Sequence, residues 1–143
     1  MGEEITFRRL GPPDANVLEA VAEGTFDGPV RADSTAAFLA SPDHEMVVAL
    51  DGVLVVGMIS GVVYWHPDKL PELWVAELGV AGPWHRRGIG AELVAAMVGI
   101  GRLRGCRGVW VLTDDDNAPA LATYRKAGGR VSSGHVMFDW DGE

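Results

Sequence analysis

The stretch that decides the fold is Pro83-Trp84-His85-Arg86-Arg87-Gly88-Ile89-Gly90-Ala91. It follows a strand predicted over residues 73–80 and leads directly into a helix predicted to end near residue 103. The first turn of a helix has free backbone N–H groups and a partial positive charge, and glycines let a ligand approach the backbone. With the two arginines beside it, this helix start is a candidate pyrophosphate site. The alternative is a turn glycine beside a solvated basic pair.

Two other phosphate-binding motifs fit this stretch less well. A Walker loop requires Gly-Lys-Ser/Thr, which is missing from the chain after Gly90. The dinucleotide fingerprint shares Gly88 and Gly90, and Asp114 follows the next predicted strand, where a ribose-binding acid belongs. However, Leu93 occupies the position of its third glycine, and too few residues follow Asp114 to build the rest of a doubly wound domain.

The elements around this stretch alternate between strands and helices. The predicted strands cover residues 5–10, 46–50, 53–64, 73–80, 109–112 and 131–140. Helices are predicted after Pro12-Pro13, after a capping sequence at Asp33, after the glycine segment and from Ala118. The continuous apolar run 109–112 predicts a central strand that is covered on both faces. The chain is therefore predicted to form one α/β domain, residues 1–143, with a twisted mixed sheet and helices on both faces.

Composition narrows the function classes. The 143 residues carry a formal net charge of −8, which argues against a nucleic-acid binder and favours a small cationic partner. The acidic start Met1-Gly2-Glu3-Glu4 lacks the features of a secretory signal, and Asp51-Gly52 interrupts the longest apolar stretch as a hairpin turn. The single cysteine suits a reducing compartment, and the four histidines lack metal-ligand spacing. We therefore expect a cytoplasmic protein with no membrane segment and no metal.

The segment His85-Arg86-Arg87-Gly88-Ile89-Gly90 resembles the acyl-CoA pyrophosphate loop of the GNAT N-acetyltransferase superfamily, Gln/Arg-x-x-Gly-x-Gly/Ala, although His85 replaces the first residue. The element order, the Asn117-Ala-Pro-Ala turn and the run from Tyr124 to Gly129 extend the resemblance over nearly the whole chain. The chain is most similar to the type I aminoglycoside 3-N-acetyltransferases, over residues 77–90 and 116–120 and at Met137-Phe138-Asp139. The resemblance implies a GNAT fold, acetyl-CoA as cosubstrate, and a homodimer as one option.

The resemblance also implies roles for individual residues in holding the cofactor. The backbone of one segment would hold the pyrophosphate: Arg86, Arg87, Gly88, Ile89, Gly90 and Ala91. Leu78 and Val80 would pair with the pantetheine arm through their backbone, and the Val80 amide would face the thioester oxygen. Asn117 would cap a helix and also hold the pantetheine. Gly79 would form a bulge that separates the two neighbouring strands.

Two residues are predicted to carry the proton transfers. Glu77 would be the general base that deprotonates the acceptor ammonium, directly or through water, and Tyr124 would protonate the departing CoA thiolate. The alternatives are an exposed strand-edge acid and a core aromatic residue. Asp114, Asp115 and Asp116 either form a solvated loop or, with Glu77, an acidic rim that binds a polyamine-like sugar.

The remaining candidates carry weaker expectations. Cys106 lies far from the loop in sequence and is expected to be structural rather than an acyl-carrying nucleophile. Trp65, Trp74 and Trp84 flank the predicted cleft and could wall it, lie in the core or contact another subunit. The function predicted is acetyl transfer from acetyl-CoA to a small cationic amine, an aminoglycoside first among them, by direct attack in a ternary complex. The alternatives are another amine (an amino acid, a polyamine or a protein N-terminus), a non-catalytic acyl-CoA sensor, and an assembly module.

Overall fold

Five strands form one sheet in the order β1-β2-β3-β4-β5 in the computed structural model, which describes residues 4–141. The strands are β1 (Ile5–Arg9), β2 (His44–Asp51), β3 (Leu54–Tyr64), β4 (Glu72–Val80) and β5 (Gly108–Trp110). The helices are α1 (Ala32–Ala40), α2 (Ile89–Leu103) and α3 (Ala118–Lys126), with 3-10 helices at Pro12–Glu19 and Gly82–Trp84. Met1 to Glu3, on which the argument against a secretory signal partly rests, lie outside the described residues.

The sheet is mixed, as predicted. Strands β1 to β4 pair antiparallel, whereas β5 runs parallel to β4, and α2 connects these two strands. The predicted hairpin is confirmed: Asp51 pairs with Leu54 across a two-residue turn, where Gly52 adopts a φ of +64°. A parallel pair needs a crossover connection of this kind, and the glycine segment is the part of the crossover that begins α2.

Helices cover both faces of the sheet. On one face, Leu93 and Met97 of α2 are fully buried against β3 and β4. On the other face, Leu18 of the first 3-10 helix and Leu39 of α1 pack on β2 and β3. The central strands β2 and β3 are therefore buried on both sides, which explains why the run from Met46 to Val63 is so apolar.

Strand β5 differs from the prediction. Instead of a central strand over residues 109–112, it is a three-residue strand at the edge of the described sheet, and Trp110 and Leu112 are exposed. Val109 packs toward α2, but within residues 4–141 no helix covers the opposite face, where Trp110 is exposed. The apolar run was therefore a misleading signal, because it does not distinguish a covered strand from an exposed apolar edge.

The closing strand predicted over residues 131–140 is not formed. This segment has no strand pairing in the structure, and its large apolar side chains are exposed: Val131, Val136, Met137, Phe138 and Trp140. A strand requires a partner that accepts and donates its backbone hydrogen bonds. The prediction of a strand from composition alone was wrong for the single chain.

Gly79 does not form the predicted bulge. Glu77 pairs with Ser60, and Val75 pairs with Gly61. The register between β3 and β4 therefore shifts at Ala76, the extra residue between them. Instead, the Thr25 carbonyl oxygen lies against Gly79 and occupies the space that a Cβ atom on this residue would need. The glycine is therefore explained by close backbone approach of the segment around Thr25, which is the other meaning of a glycine in a strand.

The N-terminus of α1 also differs from the prediction. The helix begins at Ala32 with Arg31 as the residue before it, so Asp33 lies in the first turn rather than at the cap. A carboxylate there still interacts favourably with the helix dipole.

Candidate active site

A cavity of about 510 Å³ lies where β4 and the chain after β5 separate. The two strands pair only from Glu72 to Trp74, opposite Gly108 to Trp110, although β4 continues to Val80. Beyond Trp74 the strands no longer bond to each other. One wall of the gap is the rest of β4, the other is residues 111–113, and α3 and the segment 24–27 close its ends. The predicted separation of strands is therefore present, although Gly79 does not cause it.

The cavity collects five of the predicted site residues. They come from β4, from the cap of α3 and from α3 itself: Glu77, Leu78, Val80, Asn117 and Tyr124. These residues are separated by up to 47 positions in sequence, so only the crossover through α2 brings them together.

The bulge at Ala76 determines where Glu77 points. In β4, Leu73 and Val75 face α2 and are buried, so strict alternation would also bury Glu77 on that face. The extra residue Ala76 reverses the alternation, and Glu77 is exposed on the opposite face, at the cavity. No hydrogen bond or ion pair ties the Glu77 carboxylate to the described residues. The carboxylate therefore needs no buried partner and can accept a proton from a ligand in the cavity.

The backbone of β4 offers hydrogen-bonding groups to the gap. The Ala81 amide donates to the Val56 carbonyl at 2.9 Å, so Val80 turns its own amide away from β3. Leu78 lies two residues earlier in the same register, so its backbone amide also points away from β3. These groups point to the side where a neighbouring strand would pair, which is the geometry that an extended amide-containing arm requires.

A hydrogen bond from His85 connects the loop to the end of β4. Its Nε2 lies 2.6 Å from the Val80 carbonyl oxygen, which can only accept, so this ring nitrogen is the donor. The resemblance places Gln or Arg at this position, and here the side chain supports the loop instead. The Val80 carbonyl is thereby occupied, while its amide is not.

The loop before α2 turns through two positive φ angles and leaves backbone amides free at the helix start. Gly88 adopts a φ of +80°, which glycine tolerates without strain. Arg86 adopts a φ of +65°, and positive φ angles are uncommon for residues other than glycine. The first helical hydrogen bond runs from the Glu92 amide to the Gly88 carbonyl. The amides of Ile89, Gly90 and Ala91 precede that bond and point out of the helix start.

Sequence reasoning missed a cation beside this loop. The Nζ of Lys126 lies 3.4 Å from the position that a Cβ on Gly88 would take, so its ammonium lies at the loop that also carries the exposed Arg86 and Arg87. At Gly90, a Cβ would lie 3.2 Å from Thr123 Cγ2, a tight contact between α2 and α3. The second glycine of the motif therefore suits the close approach of these two helices.

Tyr124 and Asn117 place polar atoms on the α3 side of the cavity. Burial raises the pKa of the half-buried Tyr124 phenol above its ordinary value, which keeps the proton on the oxygen. The predicted cap is confirmed: Asn117 Oδ1 accepts from the Ala120 amide at 3.2 Å. The cap uses the oxygen only, so the Nδ2 group of Asn117 is left to donate to a ligand.

Several predicted residues lie outside the cavity lining. Asp114, Asp115 and Asp116 are exposed in a turn whose carbonyls accept from Asn117 and Ala118. The glycine loop from Arg86 to Ala91 adjoins the cavity but does not line it. Cys106 packs against the α2 core, and burial raises the pKa of its thiol, which makes it a weak nucleophile.

The tryptophans separate into different environments. Trp84 donates to an Asp51 carboxylate oxygen at 3.0 Å and packs against the α2 core, so it belongs to the hairpin end of the sheet. Trp65 is 63% exposed beyond β3. Trp74 stacks on Trp110 at the start of β4. None of the three lines the cavity.

The segment 24–27 was not predicted and forms part of the wall. Thr25 is buried, and its hydroxyl donates to the Val55 carbonyl at 3.5 Å, while Asp27 is exposed at the cavity. The signal for a structured turn was present in the sequence as Gly24 and Gly28-Pro29, but nothing local indicated that it packs on β4.

Within residues 4–141, no group of three or more His, Cys, Asp or Glu side chains is placed to hold a metal ion. No helix among these residues is long and apolar enough to cross a membrane.

The acetyltransferase (GNAT) family model matches residues 16–129, which include β2 to β5, the glycine loop and α3. The chain therefore belongs to the acetyltransferase (GNAT) family. The mycothiol acetyltransferase of Corynebacterium glutamicum (strain R) is 31% identical over 100 residues, 68% of this chain and 32% of that protein. The chain thus spans about a third of the length of the curated relatives it matches.

Solved structures share the fold at lower identity. An aminoglycoside acetyltransferase, meta-AAC0020, from an uncultured soil metagenomic sample, in complex with sisomicin, superposes with a TM-score of 0.80 at 22% identity, covering 96% of this chain and 95% of that one. AAC(6')-Iy in complex with a bisubstrate analogue, CoA-S-monomethyl-acetylneamine, gives a TM-score of 0.79 at 14% identity, covering 97% and 99% of the two chains. These likenesses establish the fold, and they include a 6' enzyme rather than a 3-N enzyme.

Proposed function

We propose that this protein transfers an acetyl group from acetyl-CoA to a primary amine of a small cationic acceptor. The single observation that carries the proposal is the gap beside β4, where a free carboxylate, a protonated phenol and unpaired backbone groups face one cavity. Members of the family use acetyl-CoA, and the free amides at the start of α2 with three nearby cations suit its pyrophosphate. Side chains of this protein carry the proton transfers of the reaction, and no metal ion takes part in them.

In this mechanism the pantetheine arm lies along β4 and pairs with Leu78 and Val80. The Val80 amide faces the thioester oxygen and stabilises the negative charge that develops there. Glu77 takes the proton from the acceptor ammonium, and the neutral amine attacks the thioester carbonyl. As the C–S bond breaks, Tyr124 donates its proton to the departing CoA thiolate, and its raised pKa keeps that proton available. The proton that the attacking nitrogen loses as it becomes the amide then restores the phenol.

The identity of the acceptor amine is a separate part of the proposed function. The relative named above is a mycothiol acetyltransferase and the structural neighbours are aminoglycoside acetyltransferases, and the excess of acidic residues in this chain favours a cationic acceptor. We propose an aminoglycoside-like amino sugar as the leading acceptor, with the 3-N position suggested by sequence resemblance and the 6' position by a structural neighbour. Asp114 to Asp116 are exposed in the turn between the cavity-lining residues Thr113 and Asn117, where they would attract a polycation rather than contact the reacting amine.

The test is acetyl-CoA turnover, followed as thiol release, against a panel of aminoglycosides, amino sugars, polyamines, amino acids and peptides. We expect turnover with at least one amino sugar and a loss of kcat by roughly 10²- to 10⁴-fold in Glu77→Gln and Tyr124→Phe, the range of a lost general base or acid. CoA affinity should be retained in both variants. Thermal stabilisation by CoA without turnover of any amine would instead support an acyl-CoA sensor.

We also propose that two copies associate through residues 131–140. The five exposed apolar side chains of this segment and the uncovered outer edge of β5 support association, since large exposed apolar patches usually mark interaction sites. Sedimentation velocity should give a dimer that dissociates in a Phe138→Ser/Trp140→Ser variant. A wild-type monomer at micromolar concentration would contradict this part of the proposal.

A further inference from the structure

Three aromatic side chains form a cluster on the sheet beside the cavity, and no step of the proposed reaction uses them. Trp74 and Trp110 are register partners on β4 and β5, with ring centroids 6.1 Å apart and planes at 28°. The Trp110 indole Nε1 donates to the Tyr64 hydroxyl at 2.8 Å. The hydrogen bond and the stacking fix the rings, yet Trp74 is 39% and Trp110 37% exposed.

The cluster lies on the same face of the sheet as Glu77. Leu73 and Val75 face α2, so Trp74 and Ala76 face the other way, and the bulge turns Glu77 to that side as well. On this face, α1 and the first 3-10 helix cover β2 and β3 only. The segment 24–27 covers β4 near Gly79, whereas the part of this face that carries Trp74 and Trp110 is exposed.

The cluster adjoins the cavity along β4. Ala76, two residues after Trp74 on the same face of the strand, lines the cavity. Glu77 follows Trp74 by three positions, which is about 10 Å along the chain at the usual rise of a strand. A ligand of two or more rings that places one amine at Glu77 can therefore reach the indoles.

We propose that Trp74, Trp110 and Tyr64 form an acceptor shelf that holds the part of a multi-ring polycationic amine lying beyond the reacting amine. This inference rests on the proposed acetyl transfer and identifies the residues that select the acceptor. Ammonium groups are attracted to indole faces, and the apolar C–H faces of sugar rings pack against them. The chain's net charge of −8 supports a cation rather than an anion on the shelf. The shelf makes the enzyme selective for extended acceptors over single-ring amines.

The test compares one extended and one single-ring acceptor, sisomicin and glucosamine, in wild type, Trp74→Ala, Trp74→Phe and Trp65→Ala. We expect Trp74→Ala to raise the KM for sisomicin by roughly tenfold, the effect of losing one desolvated cation–π contact, without changing its kcat. The kinetic constants for glucosamine should not change, and Trp74→Phe should recover most of the loss. Trp65→Ala removes an exposed indole outside the stack and should behave as wild type.

A second readout does not depend on turnover. Sisomicin added to the CoA complex should quench tryptophan fluorescence in wild type and Trp65→Ala and do so less in Trp74→Ala. Equal KM increases for both acceptors, acetylation of glucosamine but not of sisomicin, or a change of oligomeric state in Trp74→Ala would each overturn the shelf while leaving the acetyl transfer intact. If no amine of the whole panel is acetylated, the proposed function fails, and the shelf fails with it.

Discussion

The two sides of β4 differ sharply in how the sheet is held together. Toward β3, the two strands remain paired from Glu72 to Val80, and the residues that face α2 are buried. Toward β5, pairing stops after Trp74, and residues 111–141 have no strand partner. The first side supplies stability, and the second supplies unpaired backbone groups and a cavity. A site for an extended ligand thus forms where a well-supported strand loses its neighbour on one side only.

The largest expected effect tests the stable side. Leu93→Ala removes a fully buried side chain of α2 and should lower the free energy of unfolding by about 2–5 kcal/mol. Leu112→Ala, on the open side and 61% exposed, should change it by no more than about 0.5 kcal/mol. Urea denaturation of both variants measures the contrast. Similar losses in the two variants would show that the open side is buried in solution.

The next effect tests how the cavity wall is attached to β4. Gly79→Ala places a Cβ against the Thr25 carbonyl oxygen, so the segment 24–27 must move, at a cost of about 1–3 kcal/mol. Gly99→Ala is the matched control, since Gly99 is exposed in α2 with open space around it. This control should stabilise the protein by up to about 1 kcal/mol. If both variants gain stability, the contact between Gly79 and Thr25 is not formed.

A smaller effect separates the two roles assigned to Asn117. Asn117→Ala loses the cap on α3 and should cost about 0.5–2 kcal/mol of stability. Asn117→Asp keeps a capping oxygen but loses the Nδ2 donor, so stability should be retained while the Kd for CoA rises. Thermal unfolding and calorimetric titration with CoA distinguish the two. An unchanged CoA affinity in Asn117→Asp would leave Asn117 with the cap only.

The smallest expected effect concerns pH. Burial raises the pKa of Tyr124 in the folded protein above the usual tyrosine value of about 10, so the folded state binds its proton more tightly than the unfolded state. Its contribution to stability is therefore complete below pH 10 and is lost as pH rises through the folded pKa. Ultraviolet titration of a Tyr64→Phe variant, which leaves Tyr124 as the single tyrosine, should show a phenolate transition at higher pH than that of the unfolded protein. A transition near pH 8 would contradict a phenol that donates from its neutral form.

The sequence was most informative where the physical cause is local. The spacing of apolar residues predicted α2, and Asp51-Gly52 predicted the hairpin, because both patterns depend on residues within one or two turns of the chain. The glycine loop was recognisable because positive φ values require particular residues. Asn117 was identified as a cap for the same reason.

The predictions that failed depended on neighbours. Residues 109–112 and 131–140 are apolar enough for covered strands, but whether a strand forms depends on what lies beside it. The bulge was placed at Gly79 because glycine often marks one, whereas the register shift occurs at an alanine. Lys126 and the segment 24–27 reached the site through helix and loop packing that leaves no local pattern.

By itself, the sequence determined the family, the order of the elements as far as α3, the helix that begins at the glycine loop, and the residue types that the site contains. The tertiary structure alone decided that Glu77 faces the open side of the sheet, that Lys126 joins the loop, and that the sheet opens beyond Trp74. The physical reason is that local propensity acts over a few residues. The direction of a strand side chain and the pairing of its backbone are set by register with chain segments far away in sequence.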